Sequence, residues 1–221
     1  MNRAAVSIPR FLVRLLAPLA ALLSPQAVVE DPWERSSAAL PPRAFGRGAV
    51  RDFRWYFERE SQVRVASLDE VCDWLLGCAY VSDPELFNEA DVWQHPGTFE
   101  RLRQGDCEDY ALWAWRKLVE LGVDAELVSG RWDVTRADAG PHAWVVFREG
   151  GAEFLLEAVA RTRAAMVRPL AEVRAQYRPH AAVNARFETT AFAGAVLTEQ
   201  EARAARWQPR DTPADTGAPA A

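Results

Sequence analysis

One cysteine in this chain stands among carboxylates, in the run Gly105-Asp106-Cys107-Glu108-Asp109-Tyr110. The apolar residues that follow, Ala111, Leu112, Trp115, Leu118, Val119 and Leu121, mark one face of a helix, and Gly122 supplies its stop. Cys107 therefore falls in the first turn of a predicted helix capped by Asp106 or Gly105. Unpaired N–H groups and the positive end of the helix dipole favour the thiolate, which is the nucleophilic form. Asp106, Glu108 and Asp109 oppose it, so a cationic partner would help. His142 is the candidate, either as a base for the thiol proton or as an imidazolium paired with the thiolate. Glu157 is the candidate to orient that imidazole.

The elements that must bring these residues together can be read from periodicity. Ser67 to Ala79 predicts a helix, with Ser67 and Glu70 at capping-box spacing. Pro96 and the stretch from Thr98 to Leu102 predict a short helix ending near Gly105. After the cysteine helix the pattern changes to strands. Ala125 to Ser129, His142 to Phe147 and Phe154 to Val159 read as three, with Glu149-Gly150-Gly151 as the turn between the last two. Pro169 to Tyr177 reads as a helix, and Val183, Ala185 and Phe187 alternate as a final strand. The expected layout is α+β, with the cysteine helix packed on an antiparallel sheet. Cross-strand pairing would then carry His142 and Glu157 within reach of each other.

Composition narrows the function classes. The chain has 221 residues and a formal net charge of −5, with both signs interspersed, which argues against binding nucleic acid by phosphate neutralisation. Its three cysteines are too few and too oddly spaced for a disulfide framework, and Cys72 and Cys78 read as small apolar core residues. This usage fits a reducing compartment, and the cytoplasm is the favoured location. Arg3, Arg10, Arg14 and the apolar run Leu15 to Leu23 would make residues 1–27 a signal peptide instead, placing the protein in the periplasm or outside the cell. That run is too short to span a bilayer. Residues 1–50 read as a leader and extended arm that Trp33 and Phe45 pin to the core, 51–200 as the folded domain, and 201–221 as a disordered tail.

Three stretches, taken in order, resemble a known family. Gly105-Asp106-Cys107-Glu108-Asp109-Tyr110-Ala111, then Gly140-Pro141-His142-Ala143-Trp144-Val145, then a carboxylate in the next strand, are similar to the transglutaminase-like superfamily. Asp91-Val92-Trp93-Gln94 and Pro96 resemble its bacterial cysteine peptidases. The resemblance spans about residues 65–190 and implies a papain-like α+β core with Cys107 as nucleophile and His142 as base. Glu157 falls where the family carries aspartate, a departure that leaves the third member open.

The resemblance implies a thiol hydrolase of peptide or isopeptide amides that works through a thioester. It also admits an amine-transferring cross-linker or a silent module that binds a protein partner. The proline-rich ends would suit a scaffold. The backbone N–H of Cys107 is a natural oxyanion donor, with Trp93 or Gln94 as a second. The partner is a protein or peptide. No cofactor is required, although Asp106, Glu108 and Asp109 are candidate calcium ligands, since some members of that branch bind calcium beside the cysteine. Helix capping and solvated charge is the competing account of these three. Zinc through Cys107 and His142 lacks the paired spacing of a structural site. His95 and His180 read as surface or turn residues, and Trp113, Trp115 and Trp144 as core.

Overall fold

The structure, a computed structural model, describes residues 31–132 and 140–206. The expected leader before residue 31, residues 133–139, and the part of the expected tail after Arg206 lie outside the described residues.

In chain order the strands are β1 (Arg35–Ser37), β2 (Ala79–Tyr80), β3 (Gln104–Gly105), β4 (Asp124–Trp132), β5 (Gly140–Glu149), β6 (Ala152–Leu156), β7 (Val167–Pro169), β8 (Tyr177–Asn184) and β9 (Thr189–Phe192). The helices are α1 (Leu68–Leu76), α2 (Asp83–Leu86), α3 (Pro96–Leu102), α4 (Cys107–Glu120), α5 (Arg163–Met166), α6 (Leu170–Val173) and α7 (Ala193–Arg206). Seven strands form one sheet in the order β1-β9-β8-β4-β5-β6-β7, antiparallel throughout. The fold is α+β, as the sequence predicts. No helix among the described residues is long and apolar enough to cross a membrane.

Helix α4 is the centre of the core. Tyr110 through Ala114, Trp115 and Leu118 are all buried, and the helix lies against β4 and β5. The period of two in β5 assigns its side chains to two cores. Ala143, Val145 and Phe147 join the cluster on the α4 side, while Trp144 and Val146 join a second one with Trp33, Leu155, Val173 and Tyr177. Trp113, Trp115 and Trp144 are fully buried. Cys72 and Cys78 are buried and free, as small apolar residues would be.

Several elements differ from expectation. Helix α1 stops at Leu76 with Gly77 as its cap, because Ala79 and Tyr80 leave to pair in parallel with β3, just ahead of Cys107. The predicted helix from Pro169 to Tyr177 is divided, since sheet pairing claims both flanks. Val167–Pro169 joins β6 and Tyr177 opens β8, leaving only Leu170–Val173 and a 3-10 turn. The last strands are β8 and β9 rather than one run through Phe187, which sits in a turn at φ 64°. Residues 31–50, read as an arm, contribute β1 at the sheet edge and bury Trp33, Phe45 and Ala49. Helix α7 continues to Arg206, past the expected boundary at 200. His95 and His180 are not surface or turn residues. His95 is buried and caps α3 by accepting the Gly97 N–H at 3.0 Å, and His180 lies in β8 within 3.0 Å of the Thr198 hydroxyl.

Candidate active site

Cys107 is the first residue of α4, with Asp106 as its N-cap. The Asp109 carboxylate turns back to accept the Asp106 backbone N–H at 3.4 Å, as an acidic residue at the third helical position does. Gly105 makes this turn possible. A Cβ there would collide with Asp109 Oδ2 and sit 2.8 Å from Gln94 Nε2. Cys107 is half-buried as a residue, and its thiol meets the backbone N–H of Ala143 and donates to Glu108 Oε2 at 3.2 Å. Cys107 and His142 line one cavity of about 360 Å³, together with Trp93, Asp83, Gly130 and Tyr80 among others.

His142 stands opposite Gly130 in the β4–β5 ladder, next to an irregularity between Ser129 and Gly130 where β4 meets β8. Such bulges re-aim side chains beside functional sites. A side chain at Gly130 would collide with the Arg178 carbonyl and sit 2.9 Å from the Trp144 ring, so the position requires glycine. The rings of Trp132 and Trp144 lie 6.0 Å from the imidazole and that of Tyr177 lies 6.5 Å away.

Glu157 reaches His142, but not across the ladder as the sequence suggests. Strand β6 ends at Leu156, opposite Val145. Glu157 is the first residue off the sheet, its backbone N–H donating to Met166 O at 2.7 Å. From there both carboxylate oxygens lie close to His142 Nε2, at 3.0 and 2.9 Å. The Tyr177 hydroxyl donates to Glu157 Oε2 at 2.8 Å and fixes the carboxylate from behind. The longer glutamate arm suits a position one step outside the strand. Sequence reading missed Tyr177, because nothing local ties a strand-opening tyrosine to a glutamate 20 residues earlier. It missed Gly130 too, although an isolated glycine inside a strand pattern is a signal of close approach.

The two oxyanion candidates separate. Gln94 is buried and committed elsewhere. Its backbone N–H donates to Asp109 Oδ1 at 2.8 Å, and its side-chain amide donates to Asp109 Oδ2 and to the Gln104 carbonyl at 3.0 Å. Trp93 lines the Cys107 cavity, and its indole N–H has no hydrogen-bond acceptor among the described residues.

Of the two opposing influences on the Cys107 thiol, the acidic neighbours prevail over the helix terminus. Burial, followed by the charges of Glu108 and Asp106, pushes the Cys107 thiol well above its ordinary value, and the Ala143 N–H offsets this only in part. Burial also raises the carboxyls of Asp106, Glu108 and Asp109, and it lifts Asp83 to about 6. None of these four pairs with a lysine or arginine among the described residues.

These carboxylates form a cluster larger than the sequence showed. Oxygens of Asp83, Asp106 and Asp109 lie within 4.8 Å of one another, as do those of Asp83, Asp91 and Glu108. Asp83 accepts the Val92 N–H at 2.5 Å through Oδ2, and Asp91 accepts the Gly48 N–H at 2.8 Å. Asp83 Oδ1 and Asp106 Oδ1 are buried and have no partner among the described residues. A hard oxygen donor set with orphaned lone pairs fits a calcium-type cation. Asp109 is the weakest of the three expected ligands, because Gln94 occupies both its oxygens. The cluster of potential ligands that contains Cys107 joins it to Asp106 and Glu108, not to His142.

No family profile matches the sequence. No curated protein matches it either. Among solved structures, LapG of Legionella pneumophila is similar at 22% identity and a TM-score of 0.44, covering 64% of this chain and 77% of that one. LapG is also solved in an EGTA-treated form, at 23% identity and TM-score 0.43 over 57% of this chain and 65% of that one. Its calcium-bound form gives 22% and 0.41 over 53% and 63%. A chain from Cytophaga hutchinsonii, named as a candidate cysteine protease, is 12% identical with a TM-score of 0.38, covering 64% of this chain and 42% of that one. These overlaps are partial.

Proposed function

We propose that this chain is a thiol hydrolase of peptide or isopeptide amide bonds. The observation that carries the proposal is that His142, held at Nε2 by Glu157, shares one cavity with a cysteine at a helix N-terminus. With Nε2 engaged, Nδ1 is the nitrogen available to the thiol. Because the field at Cys107 disfavours a free thiolate, His142 acts as a general base and takes the proton as sulfur attacks the carbonyl. Glu157 stabilises the imidazolium that forms, and Tyr177 holds Glu157 in place. The backbone N–H of Cys107 and the Trp93 indole are the donors for the oxyanion. His142 then returns its proton to the leaving amine as the C–N bond breaks. Water, deprotonated by the same imidazole, resolves the thioester.

The acidic cluster belongs to this reading. Asp83, Asp91, Asp106 and Glu108 would hold a calcium ion, with Asp109 kept as the helix cap. Bound there, the ion would offset the negative field that opposes ionisation of the neighbouring thiol.

The test is a panel of peptides carrying a thiol-reactive vinyl sulfone, with the adduct mapped by mass spectrometry. The expected result is stoichiometric modification of Cys107, lost in His142→Ala. Modification spread evenly over Cys72, Cys78 and Cys107 and indifferent to His142 would refute the proposal.

A further inference from the structure

His142 is a wall of two cavities, and the mechanism above uses only one. The second, also about 360 Å³, shares the imidazole with the first and is walled by Trp132, Leu155, Glu157, Val159, Val173 and Tyr177. Leu155, Val173 and Tyr177 belong to the core on the far side of the sheet, whereas Val159, like Trp93 beside Cys107, packs on the α4 side. The imidazole therefore borders both a space holding the nucleophile and a space that is mostly hydrocarbon. Its volume lies at the small end of the range for ligand sites. The Glu157 carboxylate does not make it acidic, because both oxygens face His142 and Tyr177. At the mouth, Arg168 is paired with Glu172 at 3.1 Å, whereas the Arg161 guanidinium donates to the Cys78 carbonyl at 3.5 Å and has no carboxylate partner among the described residues.

The chemistry decides which part of a substrate meets this space. A leaving amine must depart beside the imidazole that protonates it. The segment bearing that amine therefore lies on the His142 side of the scissile carbonyl, away from Cys107. The second cavity shares that imidazole as a wall. We propose that this cavity is the leaving-side subsite. It takes a large apolar side chain on the residue that follows the scissile bond, and Arg161 favours a carboxylate on the residue after that. The inference rests on the thiol-hydrolase reading and adds to it a substrate class.

Acyl transfer tests the two separately. p-Nitrophenyl acetate acylates Cys107 and releases p-nitrophenol. An added amine then attacks the thioester carbonyl, the C–S bond breaks, the amine proton passes to His142, and an N-acetyl amide leaves. By microscopic reversibility this amine occupies the leaving-side subsite. The expected result is that phenylalanine amide captures the acetyl group about tenfold better than glycine amide. Ala165→Trp, an exposed position at the cavity mouth, should bring that ratio close to one while the rate of p-nitrophenol release stays unchanged. Phe-Asp amide should outcompete Phe-Lys amide, and Arg161→Glu should reverse that order. Turnover that depends on Cys107 but shows equal capture of all amines, or a preference that neither variant moves, overturns the subsite and leaves the thiol hydrolase standing. No Cys107-dependent release, judged against Cys107→Ala, overturns both.

Discussion

The two ends of helix α4 both bury charge, and they treat it in opposite ways. Near the C-terminal end Arg116 and Lys117 are enclosed and fully answered. Arg116 donates to the Tyr56 and Arg59 carbonyls and to Glu120, and Lys117 meets Ser61, the Val63 carbonyl, Glu100 and Glu120. Glu100 is further held by the Trp113 indole at 2.9 Å and the Gln62 N–H at 2.8 Å, and its carboxyl stays below its ordinary range despite burial. At the N-terminal end Asp83, Asp106 and Glu108 have raised carboxyls and no lysine or arginine partner among the described residues, and Asp83 and Asp106 each keep an orphaned oxygen. A satisfied network fastens the 56–63 segment to the helix. An unsatisfied one marks a place where charge balance is left to something that binds.

This contrast makes predictions that differ by end. The largest effect belongs to the nucleophile. Cys107→Ala should reduce amide turnover by a factor on the order of 10⁴ or more, with the urea midpoint little moved. Next comes Lys117→Met, which strands Glu100 in the core and should cost about 3–5 kcal/mol in urea denaturation. Asp83→Asn, at the other end, should be neutral or stabilising without divalent cations, since a carboxyl raised to about 6 resists the ionisation it undergoes at neutral pH. Equal destabilisation by both would erase the distinction between the ends.

Glu157→Gln should lower kcat by roughly a hundredfold, the scale of positioned acid–base catalysis, with intact folding by circular dichroism. Millimolar calcium should raise the Tm of the wild-type chain by about 3–5 °C and leave Asp83→Asn unshifted. The smallest effect lies far from either end. Burial, followed by Arg131 and Arg178, lowers His180 to about 4. The unfolded chain, titrating near 6.5, takes that proton first. Stability contributed by this residue is therefore full above about pH 6.5 and lost as pH falls towards 4, and His180→Gln should flatten that limb of an acid titration followed by fluorescence.

The contrast also explains what the sequence revealed. The cysteine helix was legible because Ala111 to Leu121 carry an unbroken apolar period, and the β5–β6 hairpin because Gly150 and Gly151 turn it at φ 58° and 81°. Cys107, His142 and Glu157 were legible by type and order. The burial of the thiol and the full extent of the acidic cluster were not. Asp83 and Asp91 reach the helix tip only through α2 and the loop after it, and no local period announces that approach. The same holds for Tyr177, which the helical reading of Pro169 to Tyr177 assigned to the wrong element because pairing in β8 outweighs it. Gln94 read as an oxyanion donor by its place beside Trp93, but a buried amide goes to the nearest unsatisfied carboxylate, and that is Asp109.

The central claim is that His142, oriented by Glu157, moves the Cys107 proton. Stopped-flow mixing with p-nitrophenyl acetate in millimolar calcium tests it most directly. A burst of one p-nitrophenol per chain, absent in Cys107→Ala and slowed at least tenfold in His142→Ala, is the predicted result. A burst of unchanged rate in His142→Ala, or none from the folded wild-type chain, would contradict it.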